Sequence, residues 1–268
     1  MRKERIDVLL VEQGLFGSRQ RAQAAIMAGQ VLVDDVVVDK AGTRVDEKAA
    51  IRIAGRTLPY VSRGGLKLEK AHQVFGLDFG DQVVADIGAS TGGFTDFCLK
   101  NGARRVFAID VGYGQLDWSL RQDPRVVVLE RTNGRYLNRE LLGELVDTVV
   151  TDVSFISLTK ILPAVARILR PGGEVAALIK PQFEAGRERV GKHGVVSDPA
   201  VHREVIRQVM ASARQEGLVP VGLDYSPVRG PKGNIEYLLH LVGDGDLERG
   251  LDDAVVDRVV DRAAELRG

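Results

Sequence analysis

Apolar residues change their rhythm near residue 62. Before it, Ile6, Leu9, Leu10 and Leu15 recur at helical intervals around a stop at Gly14, and Ser18 can cap a second helix, Arg19 to Met27, ended by Gly29. Valine-rich arms between Gln30 and Val38 flank Asp34-Asp35 as strand, turn and strand, and Ala50 to Ile53 predicts a further strand. These pieces predict a compact α+β unit over residues 1–57. Pro59, within Leu58-Pro59-Tyr60-Val61, interrupts regular pairing, so residues 58–61 are expected to be a linker.

Beyond it the period alternates between strand and helix. Ser62 can cap a helix carrying Leu66, Leu68, Ala71 and Val74-Phe75, with Lys67 and Lys70 on its polar side. Strands are predicted from Val83, at Val106 to Ile109, Val126 to Leu129, Thr148 to Asp152 and Glu174 to Lys180, with a helix from Leu158 to Leu169. Such alternation means a parallel, doubly wound α/β sheet. Asp198 and Pro199 open a helix over residues 199–215. Val219 to Tyr225 and Ile235 to Val242 are joined by a loop too short for a parallel crossover, so the last strand is expected to be antiparallel. Residues 62–246 thus predict one mixed-sheet domain, and 247–268 a helical extension docking Leu251, Val255, Val259 and Leu266 while its charges face water.

Composition narrows the class. A chain of 268 residues that is 44% hydrophobic can bury one large core and one small one. Its 37 basic and 37 acidic residues cancel, so affinity for nucleic acid must rest on local patches, such as Arg2, Lys3, Arg5, Arg19 and Arg21 around the first two helices. Cys98 is the single cysteine, which forbids an internal disulfide, and its apolar helical setting marks a core residue. The four histidines show no metal-ligand spacing, so no metal is expected. No membrane-length apolar run and no secretory signal appear, and a cytoplasmic monomer is expected.

Candidate chemistry begins where the strand from Val83 breaks into Gly88-Ala89-Ser90-Thr91-Gly92-Gly93-Phe94. A strand, a glycine turn and a helix start can seat a nucleotide-like ligand. The acidic residue that grips a ribose belongs about 20 residues on, at the end of the next strand, and Asp110 follows Gly88 by 22 residues. Two other glycine runs are discounted: Gly112-Tyr113-Gly114 follows the second strand, and Gly186 to Lys192 continues into His193 where a phosphate loop needs Ser or Thr. In open parallel sheets ligands bind at the carboxyl ends of strands. Asp152 ends one strand, Lys180 ends the next, Glu236 opens the last, and Lys67 lies on the helix before the core. A lone strand-end lysine is usually a solvated tip. Two lysines brought together favour the neutral form of one, and a neutral lysine can accept a hydroxyl proton.

Two resemblances extend this reading. Arg5-Ile6-Asp7, Ser18-Arg19-Gln20-Arg21-Ala22 and Gly29-Gln30-Val31-Leu32-Val33-Asp34 resemble an S4 RNA-binding domain. Asp86 to Thr95, Asp110 to Leu116, Asp152 to Leu158, Ser62 to Leu68, Leu178 to Glu184 and Gly233 to Tyr237 resemble the TlyA family of ribosomal-RNA 2'-O-methyltransferases, over nearly the whole chain. The resemblance implies a Rossmann-like methyltransferase sheet behind a small S4-like domain. It implies the FtsJ-like Lys-Asp-Lys-Glu tetrad at Lys67, Asp152, Lys180 and Glu236. S-adenosylmethionine would lie along Gly88, Ala89, Ser90, Thr91, Gly92, Gly93 and Phe94, with Asp110 at its ribose, the Thr132-Asn133 loop near its adenine, and Val111 and Asp152 also in contact with it. Arg5, Arg19, Arg21 and Arg63 would meet RNA. The implied reaction is methylation of a ribose, that of a cytidine, in 23S ribosomal RNA within the subunits, with 16S left open as a second target. A base N-methyltransferase would carry an Asn/Asp-Pro-Pro-aromatic stretch where this chain has Asp152-Val153-Ser154-Phe155. Two alternatives are a membrane-acting haemolysin, a label members of this family have carried, and a non-catalytic RNA-binding protein.

Overall fold

The computed structural model describes residues 3–34, 36–53, 59–244 and 250–265; Arg2, Asp35, Leu58 and Leu266, named above, lie outside them. Two compact units result, residues 1–63 and 64–268.

In the first, β1 (Lys3–Arg5) leads into α1 (Ile6–Glu12) and α2 (Arg19–Met27), followed by β2 (Val31–Val33), β3 (Val36–Val38), β4 (Arg44–Asp46) and β5 (Ile51–Ile53). The Ser18 hydroxyl accepts the Arg21 N–H and caps α2. β2 pairs antiparallel with β3 and β5. Ile6, Leu9, Leu10, Ala22 and Ile26 form its core with Val31 and Val45. The periodicity did not predict β1 and β4, which pair Lys3 with Asp46 and Arg5 with Arg44. Each is three residues of mostly charged sequence, with no alternation to read.

The second unit runs α3 (Gly64–Phe75), β6 (Val83–Ile87), α4 (Gly93–Lys100), β7 (Arg105–Ile109), α5 (Trp118–Arg121), β8 (Val126–Leu129), α6 (Arg139–Leu142), β9 (Val146–Thr151), α7 (Leu162–Ile168), β10 (Leu169–Ile179), α8 (Pro181–Glu184), α9 (Pro199–Gln215), β11 (Leu218–Tyr225), β12 (Tyr237–Gly243) and α10 (Asp253–Glu265). Seven strands form one sheet in the order β11-β12-β10-β9-β6-β7-β8. Within it only the pairings of β12, with β10 and with β11, are antiparallel. β6 is buried along its whole length, as expected of a central strand covered on both faces. The predicted cap of α9 is present: the Asp198 carboxylate accepts the Ala200 N–H at 2.8 Å. The helix expected from Leu158 to Leu169 is instead a 3₁₀ turn, Leu158–Lys160, followed by α7, whose first turn accommodates Pro163. Cys98 is fully buried, and burial pushes its thiol pKa up.

The C-terminal helix docks as expected through Val259, which is buried beside Val256, Val260 and Ala263, while Leu251, just before the helix, and Val255 pack partly covered against the same core. Its charges, expected to face water, do not all do so. Arg203 and Arg207 of α9 pair with Asp257, Asp261 and Asp253, tying α10 to the same unit.

Candidate active site

Every loop of interest leaves the carboxyl edge of the sheet. After β6 the backbone turns through Gly88 (φ +86°), Ser90 (φ +50°) and Gly92 (φ +95°) into α4. A Cβ on Gly88 would lie 3.0 Å from the Asp152 carbonyl oxygen, and one on Gly92 2.2 Å from Leu120. These two glycines therefore make room for neighbouring chain. Ala89 and Phe94 have buried side chains and offer only backbone. The Thr95 N–H goes to Asp86 and that of Asp96 to the Gly92 carbonyl, so within the first turn of α4 the N–H groups of Gly93 and Phe94 lack an intrahelical partner.

Asp110, one residue beyond β7, organises the next two loops. Its oxygens accept the Ser90 N–H at 2.8 Å and the Gly112 N–H at 2.7 Å, and each keeps a further lone pair. Beside it Val111 is 70% exposed, unusual for a valine at a strand end. Gln115, to which sequence reading gave no role, reaches over Gly112, where a Cβ would lie 2.2 Å from its Nε2. The Thr132 N–H donates to the Asp110 carbonyl, bringing the Asn133 loop alongside; Asn133 itself caps the turn Gly134–Tyr136 by accepting the Arg135 N–H. Beneath lies Asp86, wholly buried. One of its oxygens accepts from the Thr95 N–H and hydroxyl, the other has no partner, and burial pushes its pKa up to about 7.

Register brings the four predicted catalytic residues together. Ile179 pairs with Tyr237, so Lys180 and Glu236 flank the same step of the antiparallel ladder. Ile87 pairs with Thr151, which sets Gly88 beside Asp152. From α3 the Lys67 Nζ reaches Asp152 Oδ2 at 3.0 Å and Glu236 Oε2 at 2.7 Å. The Lys180 Nζ lies 2.5 Å from Asp152 Oδ1 and donates to the Ser154 hydroxyl at 2.8 Å. Asp152 thus holds one lysine on each oxygen. Burial works against the Lys67 charge, but Asp152 and Glu236 outweigh it and raise its pKa. The lysines hold the Asp152 carboxyl below its ordinary value despite its burial. Lys67 is therefore a fixed cation between two carboxylates, and Lys180 is the amine beside a hydroxyl.

Several residues that hold this arrangement escaped sequence reading. Glu184 accepts the Ser157 hydroxyl and the Leu158 N–H, each at 2.6 Å, and burial raises its pKa. That contact fastens the loop after β9 to α8, and the Phe155 and Phe183 rings, 5.1 Å apart, add a second point. Phe155 is 91% exposed and has φ +63°, a conformation uncommon for a bulky residue. Around Glu236, the Asn234 side chain accepts the Val196 N–H and donates to the Gly194 carbonyl, while the buried His202 ring bridges the Tyr237 hydroxyl and the Val196 carbonyl. Their neighbours are distant in sequence, which is why spacing does not reveal them.

In the first unit Arg5 and Arg19 converge on Asp7, which is fully buried. The Arg5 guanidinium donates to both of its oxygens, at 2.9 and 3.0 Å, and Arg19 and Gln23 add bonds at 2.9 and 2.7 Å. Arg5 holds the Asp7 carboxyl far below the usual carboxylate range. Arg21 and Arg63 are exposed.

Comparison with known proteins agrees with this geometry. The FtsJ-like methyltransferase family matches residues 60–242, and the S4 domain matches residues 4–51. The 16S/23S rRNA (cytidine-2'-O)-methyltransferase TlyA of Mycobacterium tuberculosis is 45% identical over 258 residues, 95% of this chain and 96% of that protein. The chain belongs to the TlyA family. A second TlyA-like relative, YqxC of Bacillus subtilis, provisionally described as an rRNA methyltransferase, is 49% identical over 98% of this chain and 94% of its own. A Streptococcus thermophilus structure provisionally described as a hemolysin superposes with a TM-score of 0.79 at 47% identity, covering 99% of this TlyA-family chain and 97% of that one.

Proposed function

We propose that this protein transfers a methyl group from S-adenosylmethionine to the 2'-oxygen of a cytidine ribose in 23S and 16S ribosomal RNA, acting as a cytoplasmic monomer on the subunits. The observation that carries the reading is the buried chain Glu236–Lys67–Asp152–Lys180, whose Asp152 stands beside Gly88 at the start of the loop after β6 and whose last member is an amine. The cradle suits the donor. Asp110 keeps lone pairs for ribose hydroxyls, exposed Val111 offers an apolar face to adenine, and the start of α4 stands over Asp86, whose second oxygen is orphaned. Bound there, S-adenosylmethionine supplies an electrophilic methyl. Within the chain, Asp152 aligns both amines, Glu236 keeps Lys67 charged, and Lys180 takes the proton that the 2'-hydroxyl must release. Holding oxygen and methyl in line contributes about 7–11 kcal/mol of acceleration. The S4-like unit supplies RNA contacts through Arg5, Arg19, Arg21 and Arg63, two of them preset by Asp7. A hemolytic reading has little to rest on: among the described residues no helix is long and apolar enough to cross a membrane.

The test is transfer of labelled methyl from S-adenosylmethionine to purified subunits, with mapping of the modified ribose. Lys180→Arg keeps the charge but cannot accept a proton, so single-turnover transfer should fall roughly 10²–10⁴-fold with donor binding intact. Retention of most of the rate would reduce Lys180 to a fixed charge. A protein that binds subunits but transfers no methyl would be the non-catalytic RNA-binding alternative.

A further inference from the structure

We infer that Ser154 is a positioning residue for the methyl transfer: its hydroxyl fixes the rotation of the Lys180 amine so that the nitrogen lone pair is left for the 2'-hydroxyl proton. The inference rests on the reading of Lys180 as proton acceptor given above. A neutral lysine amine has two N–H bonds and one lone pair. Two neighbours stand against the Lys180 Nζ: Ser154 Oγ, which accepts a hydrogen bond from it at 2.8 Å, and Asp152 Oδ1, in ion-pair contact at 2.5 Å. With both in place the lone pair has one remaining direction. With Asp152 alone the amine can turn about its Cε–Nζ bond, and the lone pair is no longer held.

Several contacts fix the placement of Ser154. It lies two residues beyond Asp152, in a loop that Glu184 anchors at Ser157 and Leu158, and the following residue, Phe155, sits at φ +63°. Lys180 is buried whereas Ser154 is exposed, so the hydroxyl that meets the amine stands at the mouth of the site. The charged groups clustered with Lys180 are Asp152 after β9, Lys67 on α3 and Glu236 before β12, with Glu184 on α8 committed to Ser157. Ser154 is the uncharged group in direct contact with the amine.

The test compares Ser154→Ala and Ser154→Thr in the full-length protein, with purified subunits and saturating S-adenosylmethionine. Ser154→Ala should lower kcat about 10- to 100-fold, as expected when a hydrogen bond to a charged group is lost, with KM for subunits nearly unchanged. Ser154→Thr, which keeps the hydroxyl, should restore the rate. A merely structural role would move KM or stability together with kcat and would not be rescued by a hydroxyl alone. An unchanged kcat, an effect confined to KM, or failure of Ser154→Thr to restore the rate would overturn the inference. Lys180→Ala in the same assay separates the failures. If it abolishes transfer while Ser154→Ala does not, only the role of Ser154 falls; if it retains the rate, the reading of Lys180 falls.

Discussion

Gly230→Ala should disable the enzyme without touching substrate. A Cβ there would lie 2.1 Å from Glu236 Oε1 and 2.8 Å from its carboxyl carbon. Real contacts of this kind do not fall below 3.0 Å, so the oxygen must retreat by about 0.9 Å, in a side chain that is 1% exposed and enclosed by protein. The 2.7 Å ion pair with Lys67 is made by the other oxygen, Oε2, so turning the carboxylate away from residue 230 pulls that pair apart from its present geometry. Breaking a buried pair outright costs about 3–5 kcal/mol. Lys67 keeps Asp152, so a loss of about 2–3 kcal/mol is expected, in stability by urea titration and as roughly 30- to 150-fold in single-turnover methyl transfer. Gly233→Ala is the control. Gly233 has φ +87°, and a Cβ there would meet nothing within 4 Å, so the substitution should cost about 1–2 kcal/mol of backbone strain yet leave transfer by the folded enzyme unchanged. Calorimetry should find donor affinity equal in all three proteins. If Gly230→Ala transferred methyl at the native rate, Glu236 would not be needed to hold Lys67.

Asp110→Ala should weaken S-adenosylmethionine binding by about 1.5–3 kcal/mol, because it removes the ribose contact and unfastens Ser90 and Gly112; unchanged affinity in calorimetry would exclude the assignment. Asp7→Ala should lower subunit affinity while leaving donor affinity alone, since it frees Arg5 and Arg19 from their common anchor; equal subunit binding in a filter assay would count against a preset RNA face. Asp86 is held up to about 7 by burial, above its ordinary 3.8, so the folded chain carries the extra proton and stability falls as pH rises between those values, by at most about 1.4 kcal/mol per unit. Asp86→Asn should flatten that slope in urea titrations at about pH 5 and pH 7, and an unaltered slope would assign it to other groups.

Much of the core was legible because its signals are local. The strand from Val83, the Asp198 cap of α9 and the apolar stretch ending at Lys180 each state their structure within a dozen residues. The tetrad was legible at one remove: strand ends point to a common edge, and family resemblance selects among the residues there. What escaped depends on partners far along the chain. Glu184 matters because Ser157 is near it in space, Gly230 because Glu236 turns back over it, and Asp7 because two arginines meet on it. The glycines after β6 were read as room for a ligand, yet two of them make room for Asp152 and Leu120. A sequence shows that a side chain is missing, not what occupies the space.

The antiparallel strand β12, threaded between β10 and β11, imposes a timetable on synthesis. Residues 83–115, which carry the loops proposed to seat the donor, are made early, and the strand ends bearing Asp152 and Lys180 follow soon after. Glu236 and the strand behind it emerge late, and only then can β10 and β11 be joined through a common neighbour. Domains fold as units. A nascent chain halted before residue 236 would therefore lack both the strand that joins β10 to β11 and the carboxylate that pairs with Lys67, and the cluster proposed to handle the proton would be complete only with one of the last segments to be laid down.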